Sequence, residues 1–298
     1  MRYYSGENIT KVFELVLESI LLDPDFIISP RGQEVKEIRD CAMEIENPLE
    51  NIYENKYRSS PLKYIAAELL WYFSGTNNPT YIEKYAGLWK SLHNADGTVN
   101  SSYGNLLFSE KNEHGFTQYN WVIASLKKDK DSRQAFMHYN KPSHQFLENK
   151  DQVCTLQSLF HIRENKLHMT LSMRSNDVIY GFMTDWAFFS VLHYHVFLHL
   201  KEYYKDLKMG SYTHISHSMH VYERHYDLIN KMVGPNFCER SEFKSNSLPL
   251  LSEPVVDEYG NILEKYKKIL NPIINGQDPD YSKETGNPLI DWCLSKLK

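Results

Sequence analysis

The sequence predicts a mixed α/β fold in which helices pack on a β-sheet, and three stretches carry that expectation. Residues 10–22 place Val12, Phe13, Val16, Leu17, Ile20 and Leu21 on one helical face. Residues 167–173 alternate Leu167, Met169, Leu171 and Met173 with His168, Thr170 and Ser172, the two-residue period of a strand. Residues 185–204 form an aromatic-rich run, apolar enough on all sides to read as one long, largely buried helix.

The helix over 10–22 must lie on a core. A second helix starts at Pro61, whose fixed φ suits a first turn, runs through Leu62, Ile65, Ala66, Leu69, Leu70 and Phe73, and stops at Gly75. Glu68 sits in the middle of that apolar run. Residues 100–104 read as a loop, and the polar stretch 127–133 precedes a strand at 135–139. Strands at 153–162 and 167–173, separated by Arg163-Glu164-Asn165-Lys166, read as a hairpin. Cys154 falls at the start of the first. His220 and Tyr222 flank Val221 as alternate residues of another strand. Beyond Val233 the pattern weakens into Pro, Ser and Asn, with one late helix at 288–297. The chain therefore reads as a domain over 1–232 followed by a C-terminal extension over 233–298.

A chain of 298 residues with 42% hydrophobic content can bury a substantial core. Lys and Arg number 33 against 38 Asp and Glu, and the net charge of -5 argues against broad electrostatic binding to DNA or to an anionic membrane. An anionic ligand needs a local cluster of arginines instead. The N-terminus lacks the apolar core of a signal peptide and no window is long enough to span a bilayer, which points to the cytoplasm. Cys41, Cys154, Cys238 and Cys293 are scattered and form no C-x-x-C pair, so neither a disulfide framework nor a metal site is expected. Taken alone, each is expected to be a buried thiol.

Glu68, Arg133, Cys154 and the run Arg174-Ser175-Asn176-Asp177 invite a joint reading. Singly each has an ordinary explanation. A glutamate in a helix lies at the edge of the apolar face, a polar run after a strand is a solvated turn, and His220 with Tyr222 is a packed pair.

Together and in order, these pieces resemble the thymidylate synthase superfamily over about residues 10 to 226. The matching motifs are Glu68-Leu69-Leu70-Trp71 with Gly75-Thr76-Asn77; Trp89; Tyr103-Gly104; Asp131-Ser132-Arg133; Cys154; Arg174-Ser175-Asn176-Asp177-Val178 with Gly181; and His220-Val221-Tyr222. The resemblance implies an α+β fold with a large mixed sheet packed by helices, dimerising through that sheet. It implies a folate-dependent enzyme acting on a pyrimidine nucleoside monophosphate, with 5,10-methylenetetrahydrofolate as co-substrate and no metal. Cys154 is then the nucleophile and Glu68 the proton-moving carboxylate. Arg174, Ser175 and Arg31 hold the phosphate, with Arg133 reaching in from the second subunit of a homodimer. His220 and Tyr222 hold the sugar hydroxyl, Tyr103 lines the nucleotide site, Asp177 contacts base or folate, and Trp89 and Gly181 lie toward the folate.

Several departures from a synthase are similar to the branch of the family that hydroxymethylates deoxycytidylate. Thr155 follows the nucleophile where synthases usually have histidine, and Met173 precedes the arginine in place of glutamine. Separately from that branch, Gln134 stands where the family usually has a second arginine after Arg133, which leaves the phosphate site one charge short. Gly181-Phe182-Met183-Thr184-Asp185 stands where a synthase reads Gly, Leu, Pro, Phe, Asn, which puts Asp185 at the position of the uracil-reading asparagine. Uracil presents an N–H donor and a carbonyl acceptor, which one amide satisfies. Cytosine presents an amino donor and a bare ring nitrogen, and a carboxyl accepts from the first while placing a proton on the second.

The expected activity is conversion of dCMP to 5-hydroxymethyl-dCMP through a covalent Cys154 adduct, in a bacteriophage that modifies its own cytosines. The alternatives are a dCMP methyltransferase, a dUMP hydroxymethylase or thymidylate synthase of the same fold, and, from another class, a non-catalytic nucleotide- or RNA-binding homologue.

Overall fold

A computed structural model describes residues 1–234 and 242–298. Cys238 lies outside the described residues. The elements run β1 (Arg2–Gly6), α1 (Ile9–Leu22), β2 (Phe26–Ile28), β3 (Val35–Ile45), β4 (Ile52–Asn55), α2 (Leu62–Phe73), α3 (Gln118–Lys128), β5 (Phe136–His138), β6 (Thr155–Arg163), β7 (Lys166–Met173), β8 (Asn176–Asp177), α4 (Gly181–Tyr203), β9 (Lys208–Tyr222), α5 (Tyr226–Val233), β10 (Phe243–Asn246), α6 (Glu264–Ile274) and α7 (Pro288–Leu297). The class is the mixed α/β one expected. Two compact units interleave along the chain. The first holds Met1–Pro61, His168–Val191 and Gly210–Leu248, and the second Leu62–Leu167, Leu192–Met209 and Pro249–Lys298.

The first unit is built on a mixed sheet. β1 runs parallel to β3, β3 pairs antiparallel with β2 and β9, β8 runs parallel to β9, and β7 lies on the other side of β9. Helix α1 covers β1 and β3 with the apolar face read from its periodicity, all of it buried, and Asn8 caps its first turn by accepting from Lys11 N–H at 3.1 Å. The ladder between β3 and β9 runs from Val35 opposite Tyr222 to Ile45 opposite Tyr212 and is interrupted at Asp40, whose φ is 53°. Asp tolerates that left-handed conformation better than most residues.

In the second unit α2 packs against α6 and α7, and α3 packs against β5 and β6. Thr117 caps α3 through Asn120 N–H at 3.1 Å. The helix reaches Lys128, so residues 127–128 are helical and the polar loop expected there begins only afterwards. β6 starts at Thr155, two residues later than the sequence suggested, which leaves Cys154 just ahead of the strand. Glu164 and Asn165, with φ of 50° and 57°, then make the left-handed two-residue turn that reverses a chain into a hairpin. Residues 249–298 belong to this unit. His195 of α4 accepts from Val255 and Val256 N–H at 2.9 and 3.4 Å through Nε2, and its Nδ1 meets the Tyr119 hydroxyl at 2.5 Å. Burial pushes His195 well below the ordinary histidine range, the neutral state this pattern requires.

Gly104 has no room for a side chain: a Cβ there would lie 1.9 Å from the Tyr72 carbonyl oxygen, part of the backbone of α2. Gly104→Ala should therefore destabilise the protein by about 3 kcal/mol or more through a backbone clash, read as a lowered urea midpoint. An unchanged midpoint would show that the two segments are not in contact.

Candidate active site

In the second unit, burying Glu68 (6% exposed) in the apolar face of α2 takes its carboxylate out of water. The helix itself supplies donors. Tyr64 and Tyr72, four residues before and after it and so on its face, donate to Oε1 at 2.8 and 3.3 Å. Trp89 Nε1 donates in turn to the Tyr64 hydroxyl at 3.0 Å. The Tyr72 ring stacks on Tyr103 at 5.3 Å, and the Tyr103 hydroxyl accepts from Thr155 Oγ1 at 2.8 Å. Thr155 is the neighbour of Cys154, so a tyrosine-built network links the segments carrying the thiol and the buried carboxylate. None of the described cysteines is in a disulfide, and they differ in access. Cys41 and Cys293 are buried, the first pushed up to about 12 and the second also pushed up, both by burial. Cys154 is half-buried, its sulfur 4.0 Å from the Gln152 carbonyl. Arg133 is exposed beyond α3.

In the first unit, β8 pairs with β9 so that Asp177 lies opposite His220. The expected solvated turn is therefore a short strand for Asn176 and Asp177, with only Arg174 exposed before it. Ser175 Oγ lies 3.5 Å from His220 Nδ1, which also lies 3.2 Å from the Ser218 carbonyl. That carbonyl can only accept, so in this contact Nδ1 is the donor. The His220 and Tyr222 rings meet edge to face at 5.3 Å. Asp177 Oδ1 accepts from Ile179 and Tyr180 N–H at 2.8 and 3.1 Å. The Arg31 and Arg133 side chains make no ion pair among the described residues.

Asp185 stands near the start of α4, which begins at Gly181, four residues before the helix read from the sequence. It is half-buried, and its Oδ2 accepts from Asn176 Nδ2 at 2.7 Å. Burial pushes its carboxyl up to about 7, opposed by the Asn176 hydrogen bond. Gly181 borders this pair: a Cβ on it would meet Asn176 Nδ2 at 3.1 Å and Asp185 Oδ2 at 3.3 Å.

Four polar partners were not singled out from the sequence for these roles: Tyr64, Tyr72, Thr155 and Asn176. The first two could have been found from their i±4 spacing about Glu68. Nothing in the sequence marks Asn176 as the partner of a residue nine positions on.

A family model described as thymidylate synthase matches residues 34–256. Deoxycytidylate 5-hydroxymethyltransferase of Enterobacteria phage T4 is 31% identical over 220 residues, covering 70% of this chain and 85% of that protein. Deoxyuridylate hydroxymethyltransferase of Bacillus phage SP01 is 27% identical over 279 residues, covering 89% of this chain and 68% of that protein. The fold is similar to that of thermostable thymidylate synthase A from Bacillus subtilis, with a TM-score of 0.60 at 19% identity, covering 75% of this chain and 83% of the other.

The raised carboxyl of Asp185 fixes the sign of a pH effect. Its folded-state value lies above its unfolded one, so the stability it contributes is complete below about pH 4 and is lost as pH rises through about 7. Asp185→Asn, neutral throughout, should flatten that loss. Between pH 4.5 and 8 it should gain on the order of 2 kcal/mol over wild type in urea unfolding, after allowance for partial exposure. Parallel stability curves for the two proteins would contradict the burial assigned to this group.

Proposed function

Because this chain belongs to the thymidylate synthase family, we propose that it is a dCMP 5-hydroxymethyltransferase working with 5,10-methylenetetrahydrofolate and water. The observation that carries the reading is Asp185, a half-buried carboxyl held by one amide at the position where a synthase has asparagine. A carboxyl accepts from the amino group of cytosine and shares a proton with its ring nitrogen. An ionised carboxyl facing the uracil carbonyl is a buried mismatch costing about 1 to 3 kcal/mol.

The folate supplies a one-carbon unit at the oxidation level of formaldehyde. Asp177 fits an amide-bearing ring such as a pterin, since its Oδ1 is committed to backbone N–H groups while Oδ2 is open to a ligand donor. The Cys154 thiolate adds to carbon 6 of the pyrimidine and makes carbon 5 nucleophilic, which is covalent catalysis. Once the one-carbon unit is attached, loss of the carbon 5 proton into the Glu68 and tyrosine network, with the bond from the one-carbon unit to the folate nitrogen breaking and tetrahydrofolate departing with that electron pair, would leave an exocyclic methylene. Addition of water there and departure of Cys154 give the hydroxymethyl product. The hydroxymethyltransferase names of the T4 and SP01 relatives support water as the last reactant. Arg174, Ser175 and Arg31 bind the phosphate, and the exposed Arg133 serves the partner's site in a homodimer paired through the sheet. His220 offers Nε2 to the sugar hydroxyl beside Tyr222, while Tyr103 and Trp89 flank Glu68. Residues 1–232 carry this chemistry, in the cytoplasm of an infected host cell.

One observation favours a second reading, dUMP hydroxymethylation: a neutral Asp185 carries both a donor and an acceptor, and the SP01 relative is named for deoxyuridylate.

Incubation with dCMP, dUMP and methylenetetrahydrofolate, with products identified by mass, tests the reading. It predicts a product heavier than dCMP by one CH2O unit, and a methyl product or turnover of dUMP alone would defeat it. Cys154→Ala should lower turnover at least about 1000-fold, and wild-type rates from that variant would point to a binding protein. Asp185→Asn should shift preference toward dUMP at least tenfold, about 1.4 kcal/mol.

A further inference from the structure

A neutral carboxyl has a donor on one oxygen and an acceptor on the other. With the proton opposite ring nitrogen 3 it matches cytosine, and with the proton opposite the carbon 4 substituent it matches uracil. A carboxyl free to carry its proton on either oxygen therefore cannot choose between the bases, although an ionised one rejects uracil. The structure removes that freedom at Asp185. Asn176 presents its amide nitrogen to Oδ2, at 2.7 Å, and so occupies that oxygen as a donor. It keeps this orientation although its own Oδ1 is left buried without a partner among the described residues. Gly181 leaves the space the pair occupies.

We propose that Asn176 is a positioning residue for base recognition: by donating to Oδ2 of Asp185 it confines the carboxyl proton to Oδ1, and so makes an ambidextrous group a reader of cytosine. The inference rests on the dCMP reading above and assigns Oδ1 to ring nitrogen 3 and Oδ2 to the amino group. Titratable side chains on β8 and β9 have hydrogen-bond partners of their own. Asp177 on β8 holds backbone N–H groups. On β9, His214 is buried, pushed down to about 3, and meets the Tyr212 hydroxyl at 3.0 Å, while His220 faces the Ser218 carbonyl.

The test compares kcat/KM for dUMP and dCMP at about pH 6 and about pH 8.5. It uses wild type, Asn176→Ala, Asp185→Asn and the double variant. In wild type the dUMP-to-dCMP ratio should not rise on acidification. In Asn176→Ala it should rise about tenfold at the lower pH and little at the higher, where the ionised carboxyl rejects uracil unaided. In the Asp185→Asn background, Asn176→Ala should leave the ratio within about twofold, because the amide acts only through the carboxyl. The substitution also removes the orphaned carbonyl, which favours folding. Gly181→Ala, which crowds both partners, gives a second variant expected to shift the ratio the same way. A ratio unmoved by Asn176→Ala, a shift toward dCMP, or a wild-type ratio that climbs as pH falls would overturn the proposal. If Asp185→Asn itself left the ratio unchanged, the base-reading role of Asp185 would fall. If Asp185→Asn moved it and Asn176→Ala did not, only this inference would fail.

Discussion

A carboxyl drawn into an apolar helix must be met by hydrogen-bond donors or give up its charge, and this constraint organises the chemistry of both units. Glu68 meets it with donors from its own helix, Tyr64 one turn before and Tyr72 one turn after. Asp185 has one amide donor, and burial prevails over it, raising the carboxyl to about 7. Two acidic side chains on helices thus reach different settlements, one wrapped in hydroxyls and one poised near neutrality. Local geometry accounts for the difference: i±4 spacing brings donors to Glu68, whereas the partner of Asp185 must come from another element.

The same reasoning explains what the sequence revealed of the fold. α1, α2, β7 and α7 bury clean apolar faces, and their periodicity located them to within a residue or so. β9 was visible only at its end, around His220 and Tyr222. Its buried face includes His214 and Ser216, so the alternation that exists in space is not an alternation of hydrophobicity. β3 is interrupted by Asp40 in a left-handed conformation, and α6 contains Pro272, which reads as a helix end. Residues 249–298 looked like a polar tail because much of their attachment is hydrogen bonding to His195 and packing of short apolar faces on α2.

The residues proposed to bear chemistry were easier to find than those that hold them. Cys154, Glu68 and Asp185 stand out because a thiol or a carboxyl at those positions asks for a reason. Tyr64, Tyr72 and Thr155 do not, since tyrosine and threonine are unremarkable on a helix or at a strand start. Their roles come from shared faces and from the close approach of Gly104 to the Tyr72 carbonyl, a contact that only coordinates display. Asn176 is further hidden. Its partner lies across the turn that enters α4, and the absence of a side chain at Gly181 is what lets the two meet.

That arrangement bears on how the base is chosen. An asparagine amide offers one donor and one acceptor, and the way its neighbours turn it decides their order and so what it reads. A carboxyl near neutrality offers two patterns, and the side chain's identity does not decide between them; the position of one proton does. The deciding information then lies with whatever donates to the carboxyl and with the space allowed for that donor. In this chain the donor to Asp185 is Asn176, and Gly181 borders the pair. If Asp185 reads the base as proposed, an aspartate at this position is compatible with either base, and its identity alone does not assign one. On the proposal made above, a change two residues after Arg174 shifts the preference, because moving the donor moves the proton that the base meets.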